Sequence, residues 1–205
     1  MIWINRGRGF GSMLSVIIAT RESERALVRT LAVLVAGAAA GTVREVIVAD
    51  SGSRDATAEV ADYAGCRILV SDAPLGARLQ AAATAARAGW LMFLKAGTVL
   101  DATWIEEVAR YVDEDERRDV SASRAAMFRP VPEAGTTRPA LVEALWLLRA
   151  ALGGRPRPEH GLVIAKHLYQ RLGGHREDCP DPESDFIGRL GRRRIVMLRS
   201  GAAPC

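Results

Sequence analysis

Four short apolar runs, separated by stretches with helical periodicity, constrain this chain more than any other feature. They are Leu14 to Ala19 (LSVIIA), Val46 to Ala49 (VIVA), Arg67 to Val70 (RILV) and Trp90 to Leu94 (WLMFL). A strand with one face in water alternates apolar and polar residues, whereas one buried on both faces reads as a continuous apolar run. Helices fit between and after these runs. The first spans about Ser23 to Val35, with Leu27, Leu31 and Leu34 at helical spacing. A second opens near Ser53 and stops at Gly65, a third covers Ala77 to Ala88, and a fourth Thr103 to Val112. This strand–helix alternation predicts an α/β fold with three layers, a mostly parallel sheet between helices. Ligands of such sheets lie beyond the carboxyl ends of the strands.

The second half is less regular. Val120 to Phe128, Gly161 to Ala165 and Ile195 to Leu198 read as strands, and Lys166 to Leu172 and Ser184 to Leu190 as short helices. Pro139 to Leu152 reads as a helix apolar nearly all round, which suits a core or a dimer interface, with docking on a membrane surface as the sharper alternative. No linker or repeat divides the chain, so residues 14–205 are expected to form one domain, and residues 1–13 are set aside as an N-terminal extension or tag.

Composition excludes several functions. The net charge is only +4 and aromatic residues make up 5%, so a nucleic-acid partner is not expected. Of 28 basic residues only Lys95 and Lys166 are lysines, a skew that fits a GC-rich genome. Cys66, Cys179 and Cys205 form no CxxC, so neither a disulfide framework nor a zinc site is expected, and reduced thiols fit the cytoplasm. No apolar run reaches the length of a membrane span.

The glycines Gly7, Gly9 and Gly11 precede the first strand, whereas a dinucleotide fingerprint needs them just after it. The turn that follows that strand, Thr20-Arg21-Glu22-Ser23, has no glycine. The end of the second strand is more informative: Asp50-Ser51-Gly52-Ser53-Arg54-Asp55. A carboxylate there can accept hydrogen bonds from a base N–H or a ribose hydroxyl. The same residues also suit a plain strand-to-helix turn, with Ser53 as N-cap and Asp55 in the first helical turn.

In their order these segments resemble family 2 glycosyltransferases, inverting enzymes of the glycosyltransferase-A fold. The resemblance rests on Ser15 to Thr20 with Glu22 and Glu24, on Asp50 to Asp55, on Gly76-Ala77-Arg78 with Gln80, and on Phe93-Leu94 with Thr98, Leu100 and Trp104. It continues through Gly161 to Ile164, Leu172-Gly173-Gly174 and Glu183-Ser184-Asp185-Phe186. It implies a nucleotide-binding half at 14–112 and an acceptor-side half at 113–205. It implies a donor site for a nucleotide-diphosphosugar, a UDP-sugar first, made by Thr20, Glu22, Asp50, Ser51, Asp55, Gly76, Arg78 and Lys95. It implies Glu183 or Asp185 as catalytic base. The acceptor stays open, a lipid-linked or polysaccharide hydroxyl being the candidates, and the former would place the protein at the inner face of the membrane.

The chain departs from the family pattern in three places. The family holds Mg2+ or Mn2+ with Asp-x-Asp after the fourth strand, where this chain reads Leu94-Lys95-Ala96-Gly97-Thr98. Hard cations need oxygen ligands, so no metal ligand is assigned. Either Lys95 meets the diphosphate charge itself and transfer is metal-independent, or the protein is a catalytically inactive nucleotide-binding or scaffold relative. The family's Glu-Asp-x-Asp-Phe is replaced by Pro182-Glu183-Ser184-Asp185-Phe186, and Ala82 stands where asparagine is common. His160, His167 and His175 show no metal spacing, and the two flanking the acceptor-side segment, His160 and His175, read as solvated loop residues.

Overall fold

The computed structural model describes residues 14–118, 123–131 and 157–204. Residues 1–13, the apolar helix expected at 139–152, Cys205 and the first residues of the strand expected from Val120 lie outside them. Among the described residues eight strands form one sheet. They are β1 (Leu14–Thr20), β2 (Val43–Asp50), β3 (Arg67–Val70), β4 (Trp90–Lys95), β5 (Thr98–Leu100), β6 (Ala125–Pro130), β7 (Leu162–Ala165) and β8 (Ile195–Pro204). The helices are α1 (Glu24–Ala39), α2 (Thr57–Tyr63), α3 (Leu75–Ala85), α4 (Trp104–Glu116), α5 (Lys166–Arg171) and α6 (Pro182–Leu190).

The strand order is β3-β2-β1-β4-β7-β6-β8-β5. β3, β2, β1 and β4 run parallel, β7 is antiparallel to both β4 and β6, β8 is parallel to β6, and β5 is antiparallel to β8. This is the mostly parallel α/β sheet that the apolar runs predict. β1 and β4 are almost wholly buried, as their unbroken patterns require, while β3 at the edge is exposed at both ends. Leu27, Leu31 and Leu34 of α1 are buried, so that helix presents the face expected of it.

The sheet curls. β4 and β5 are joined by Ala96 and Gly97 alone, yet they stand fourth and eighth in the order. In a flat sheet four strand spacings would separate them by about 19 Å. Three Cα steps reach at most about 11 Å. The far edge therefore folds back over α1, whose Ala26 carbonyl and Thr30 hydroxyl both accept the Gly97 N–H, at 3.1 and 2.9 Å.

Some local expectations are corrected. α2 begins at Thr57, so Ser53 does not cap it and Asp55 precedes its first turn. Both side chains are engaged by the loop after β1 instead. α1 continues four residues past Val35 through an alanine-rich turn. β5 has no counterpart in the sequence reading, because three residues carry no measurable period. β8 extends past Leu198 to Pro204, where it receives β5.

Candidate active site

The carboxyl ends of β2, β1 and β4 stand side by side, with Thr20 opposite Asp50 and Ala19 opposite Lys95. Two clusters of polar side chains occupy this edge.

The first cluster joins the loops after β1 and β2. Asp50 is 1% exposed, and its carboxylate accepts four hydrogen bonds. Oδ1 takes the hydroxyls of Thr20 (2.7 Å) and Ser53 (2.6 Å), and Oδ2 takes the N–H groups of Gly52 (2.8 Å) and Ser53 (2.7 Å). Burial pushes this carboxyl up, but the Ser53, Thr20 and Gly52 bonds outweigh it and hold Asp50 below the usual carboxylate value. Glu22 reaches across from the other loop. Its carboxylate accepts the N–H groups of Arg54 (2.8 Å) and Asp55 (3.2 Å), and its own N–H donates to Ser53 Oγ (2.9 Å). This bracing holds Glu22 at φ 48, a left-handed conformation that a glutamate adopts only when its surroundings impose it. Asp55 accepts the Glu24 N–H at 3.1 Å and the N–H and hydroxyl of Thr57, so it caps the start of α1 as well as α2. Ser51 Oγ is buried without a hydrogen-bond partner among the described residues.

Arg78 also joins this cluster. Nη1 donates to the carbonyls of Ala49 (2.7 Å) and Thr20 (3.3 Å), and Nε to the Ala73 carbonyl (3.2 Å). The guanidinium thus sits at the tips of β1 and β2, where the strands' last carbonyls need donors.

Gly76, which the resemblance assigns to the donor site, is also a packing position. A Cβ there would lie 1.9 Å from the Arg176 carbonyl oxygen and 3.2 Å from Pro182 Cβ. The missing side chain lets the segment leading into α6 lie directly on α3. Asp181 caps α6 by accepting the Ser184 N–H at 3.1 Å. Asp185 is held in ion pairs. It pairs with Arg189 Nε (2.8 Å) and Arg176 Nη1 (3.7 Å), and Arg189 also donates to the carbonyls of Leu172 and Gly174. Arg189, steadied by Asp185, therefore anchors α6 to the Gly173-Gly174 turn.

The second cluster stands at the tip of β4. Lys95 Nζ lies 3.3 Å from Glu159 Oε1 and 3.5 Å from Glu183 Oε2. The side chains of Lys95 and Glu159 are 41% and 47% exposed, and that of Glu183 only 18%. Burial pushes the Glu183 carboxyl above its ordinary value, the Lys95 charge opposes this, and Asp181 and Glu159 add to it. Burial pulls Lys95 the other way, but Glu183 and Glu159 prevail and raise it. Glu159 sits in the Pro158–His160 turn, 64 residues from Lys95, and no spacing in the sequence points to it. Gly161 ends that turn at φ 64, and a Cβ there would lie 2.7 Å from Leu94, so the turn rests directly on β4.

These residues do not fit a divalent cation. The position that would supply a carboxylate supplies an ammonium, and that ammonium already takes the two nearest carboxylates. No three His, Cys, Asp or Glu side chains converge as a metal site among the described residues. What the cluster can do is present a positive charge to an anion and a largely buried carboxylate to a proton donor.

The histidines differ from expectation. His175 is 2% exposed, stacked among Phe93, Tyr169 and Phe186, with Nδ1 2.9 Å from the Tyr169 hydroxyl. Burial, and then Arg189, push it down to about 4, so it is neutral. His160 is half-buried, with Nδ1 enclosed and without a partner among the described residues. His167 lies 3.1 Å from the Ser123 hydroxyl.

Comparisons with known proteins agree with this fold. The family described as "Glycosyl transferase family 2" matches residues 15–196. Among solved structures, S. aureus TarS 1-349 superposes with a TM-score of 0.67 at 16% identity, covering 94% of this chain and 60% of that one. Glucosyl-3-phosphoglycerate synthase from Mycobacterium tuberculosis, in complex with Mn2+, UDP and glucosyl-3-phosphoglycerate, gives 0.65 at 16% identity over 95% and 72%. Mannosyltransferase PcManGT from Pyrobaculum calidifontis, in complex with GDP-Man and Mn2+, gives 0.68 at 15% identity over 98% and 59%. The chain thus spans about 60% of the TarS fragment. These likenesses establish the glycosyltransferase-A fold. No curated protein sequence matches the chain. Among the described residues no helix is long and apolar enough to cross a membrane.

Proposed function

Because the chain belongs to glycosyl transferase family 2, we propose that it transfers a sugar from a nucleoside diphosphate donor to an acceptor hydroxyl, with inversion and without a divalent metal. The observation that carries this reading is the Lys95–Glu183 pair at the tip of β4. It puts a cation and a candidate base beside the turn built by Asp50 and Thr20.

The nucleoside lies over the tips of β1 and β2, against the turn that Asp50 holds, with the buried Ser51 hydroxyl free to meet it. UDP is the first choice, since TarS and the synthase have both been solved with it. The diphosphate points towards Arg78 and Lys95. Glu183 takes the proton of the acceptor hydroxyl as that oxygen bonds to the anomeric carbon. The bond from that carbon to the phosphate oxygen breaks on the opposite face, and its electron pair leaves on the nucleoside diphosphate. Lys95 offsets the negative charge that develops there. Asp185, held by Arg189 and Arg176, positions α6 and takes no proton. The acceptor is recognised by the half after residue 112, and we place the reaction in the cytoplasm.

Calorimetric titration with UDP and GDP, with Mn2+ or with EDTA, tests this. UDP is expected to bind equally in both buffers, and Asp50→Ala to bind at least about tenfold more weakly, because the turn under the nucleoside loses the carboxylate that holds it. No heat with either nucleotide overturns the reading, and binding that requires Mn2+ overturns its metal-free part. Nucleotide binding without release of UDP from any donor sugar would identify a silent relative.

A further inference from the structure

Lys95 is shared between two carboxylates of unequal exposure, one on the turn before β7 and one at the start of α6. We propose that donor binding activates the base: the diphosphate draws the Lys95 ammonium off Glu183, leaving that carboxylate unpaired, while Glu159 keeps the ammonium tethered at the strand tip. This rests on the function proposed above and goes further, naming an on-switch for its base.

The geometry supports the exchange in three ways. First, the contacts of 3.3 and 3.5 Å leave one of the three ammonium protons without a described partner, and the side chain is 41% exposed, open to an incoming anion. Second, part-exposed ion pairs are weak, so a doubly charged diphosphate outcompetes a single carboxylate for the same cation. Third, the partners lose unequally. Glu159 is half in water and is solvated whether paired or not. Glu183 is mostly enclosed, and the charged groups that face it are Lys95 from β4, Glu159 from the neighbouring turn and Asp181 from its own helix. Once Lys95 turns to the diphosphate, only acids remain, and the affinity of Glu183 for a proton rises. The base is thus masked until the donor is in place, which suppresses proton abstraction when there is no sugar to transfer.

The test is proton uptake on nucleotide binding. UDP is titrated into the full chain in two buffers of different ionisation enthalpy, at mildly acidic and neutral pH, for the wild type, Glu183→Gln, Lys95→Met and Glu159→Gln. At mildly acidic pH the wild type is expected to take up a fraction of a proton per UDP beyond that taken up by Glu183→Gln, and less at neutral pH, where Glu183 stays ionised to act as base. That difference cancels the titration of UDP itself. Lys95→Met is expected to lose the excess uptake, since its Glu183 has no cation to surrender. Glu159→Gln keeps it. Circular dichroism of each variant confirms folding, and the three variants report independently. Equal proton counts in wild type and Glu183→Gln overturn the proposal while leaving the proposed function standing, as does loss of uptake in Glu159→Gln. Absence of any UDP or GDP binding overturns both.

Discussion

Gly76 and His175 illustrate how much a single position decides here. Adding one methyl at Gly76 puts a carbon 1.9 Å from a backbone oxygen, and backbone cannot rotate away as a side chain can. Gly76→Ala should therefore displace the segment carrying Glu183, cost about 1–3 kcal/mol and lower transfer activity. Urea melts and a UDP-release assay read the two effects. His175 is held neutral, its value down from 6.5 to about 4. The unfolded chain binds its proton first as pH falls, so the stability it gives is whole above 6.5 and is lost between about 6.5 and 4, by up to about 3 kcal/mol. His175→Phe should flatten that acid limb in melts across pH. Neither role was legible in the sequence. Gly76 matches a family motif, and the motif says nothing of this packing contact. His175 follows two glycines and looks like a loop residue, because the aromatic cage around it comes from β4, α5 and α6.

At the scale of elements, long uninterrupted patterns were readable and short or shared ones were not. β1, β2 and β4 announced themselves because both faces are buried. α2 was placed too early because Ser53 and Asp55, good capping types, are used by the loop after β1 instead. Glu183 and Asp185 look alike in the sequence, since both lie in the first turn of α6; in the structure one pairs with Lys95 and the other with Arg189. α3 ends on another contact without a sequence signal: Lys166 Nζ donates to the carbonyls of Thr84 (3.1 Å) and Ala86 (2.7 Å). A cation on these last carbonyls satisfies orphan acceptors and suits the helix dipole. Lys166→Met is expected to lower stability by about 1 kcal/mol, seen as a lower urea midpoint with an unchanged slope.

At the scale of the molecule, the parallel order of the first four strands followed from the alternation of runs, but the curl did not. It depends on a two-residue link and on an edge strand of three residues, and neither has a period. The curl ties the Lys95 turn to α1 through Gly97. The chain carries a net charge of +4, and the proposed ligand is an anion. Its affinity should fall a few-fold as salt rises from low to physiological strength, measured by repeating the UDP titration across NaCl concentrations.

The scarcity of lysine gives the protein a use at the bench. Its two ε-amines are held in unlike ways, one against two carboxylates at the strand tips and the other on the carbonyls that end a helix. An amine-selective acylating reagent therefore has two lysine targets, 71 residues apart and resolvable by peptide mass. The rate at Lys95, compared with Lys166 as internal reference, becomes a footprint of whatever occupies the site, read without knowing the sugar or its acceptor.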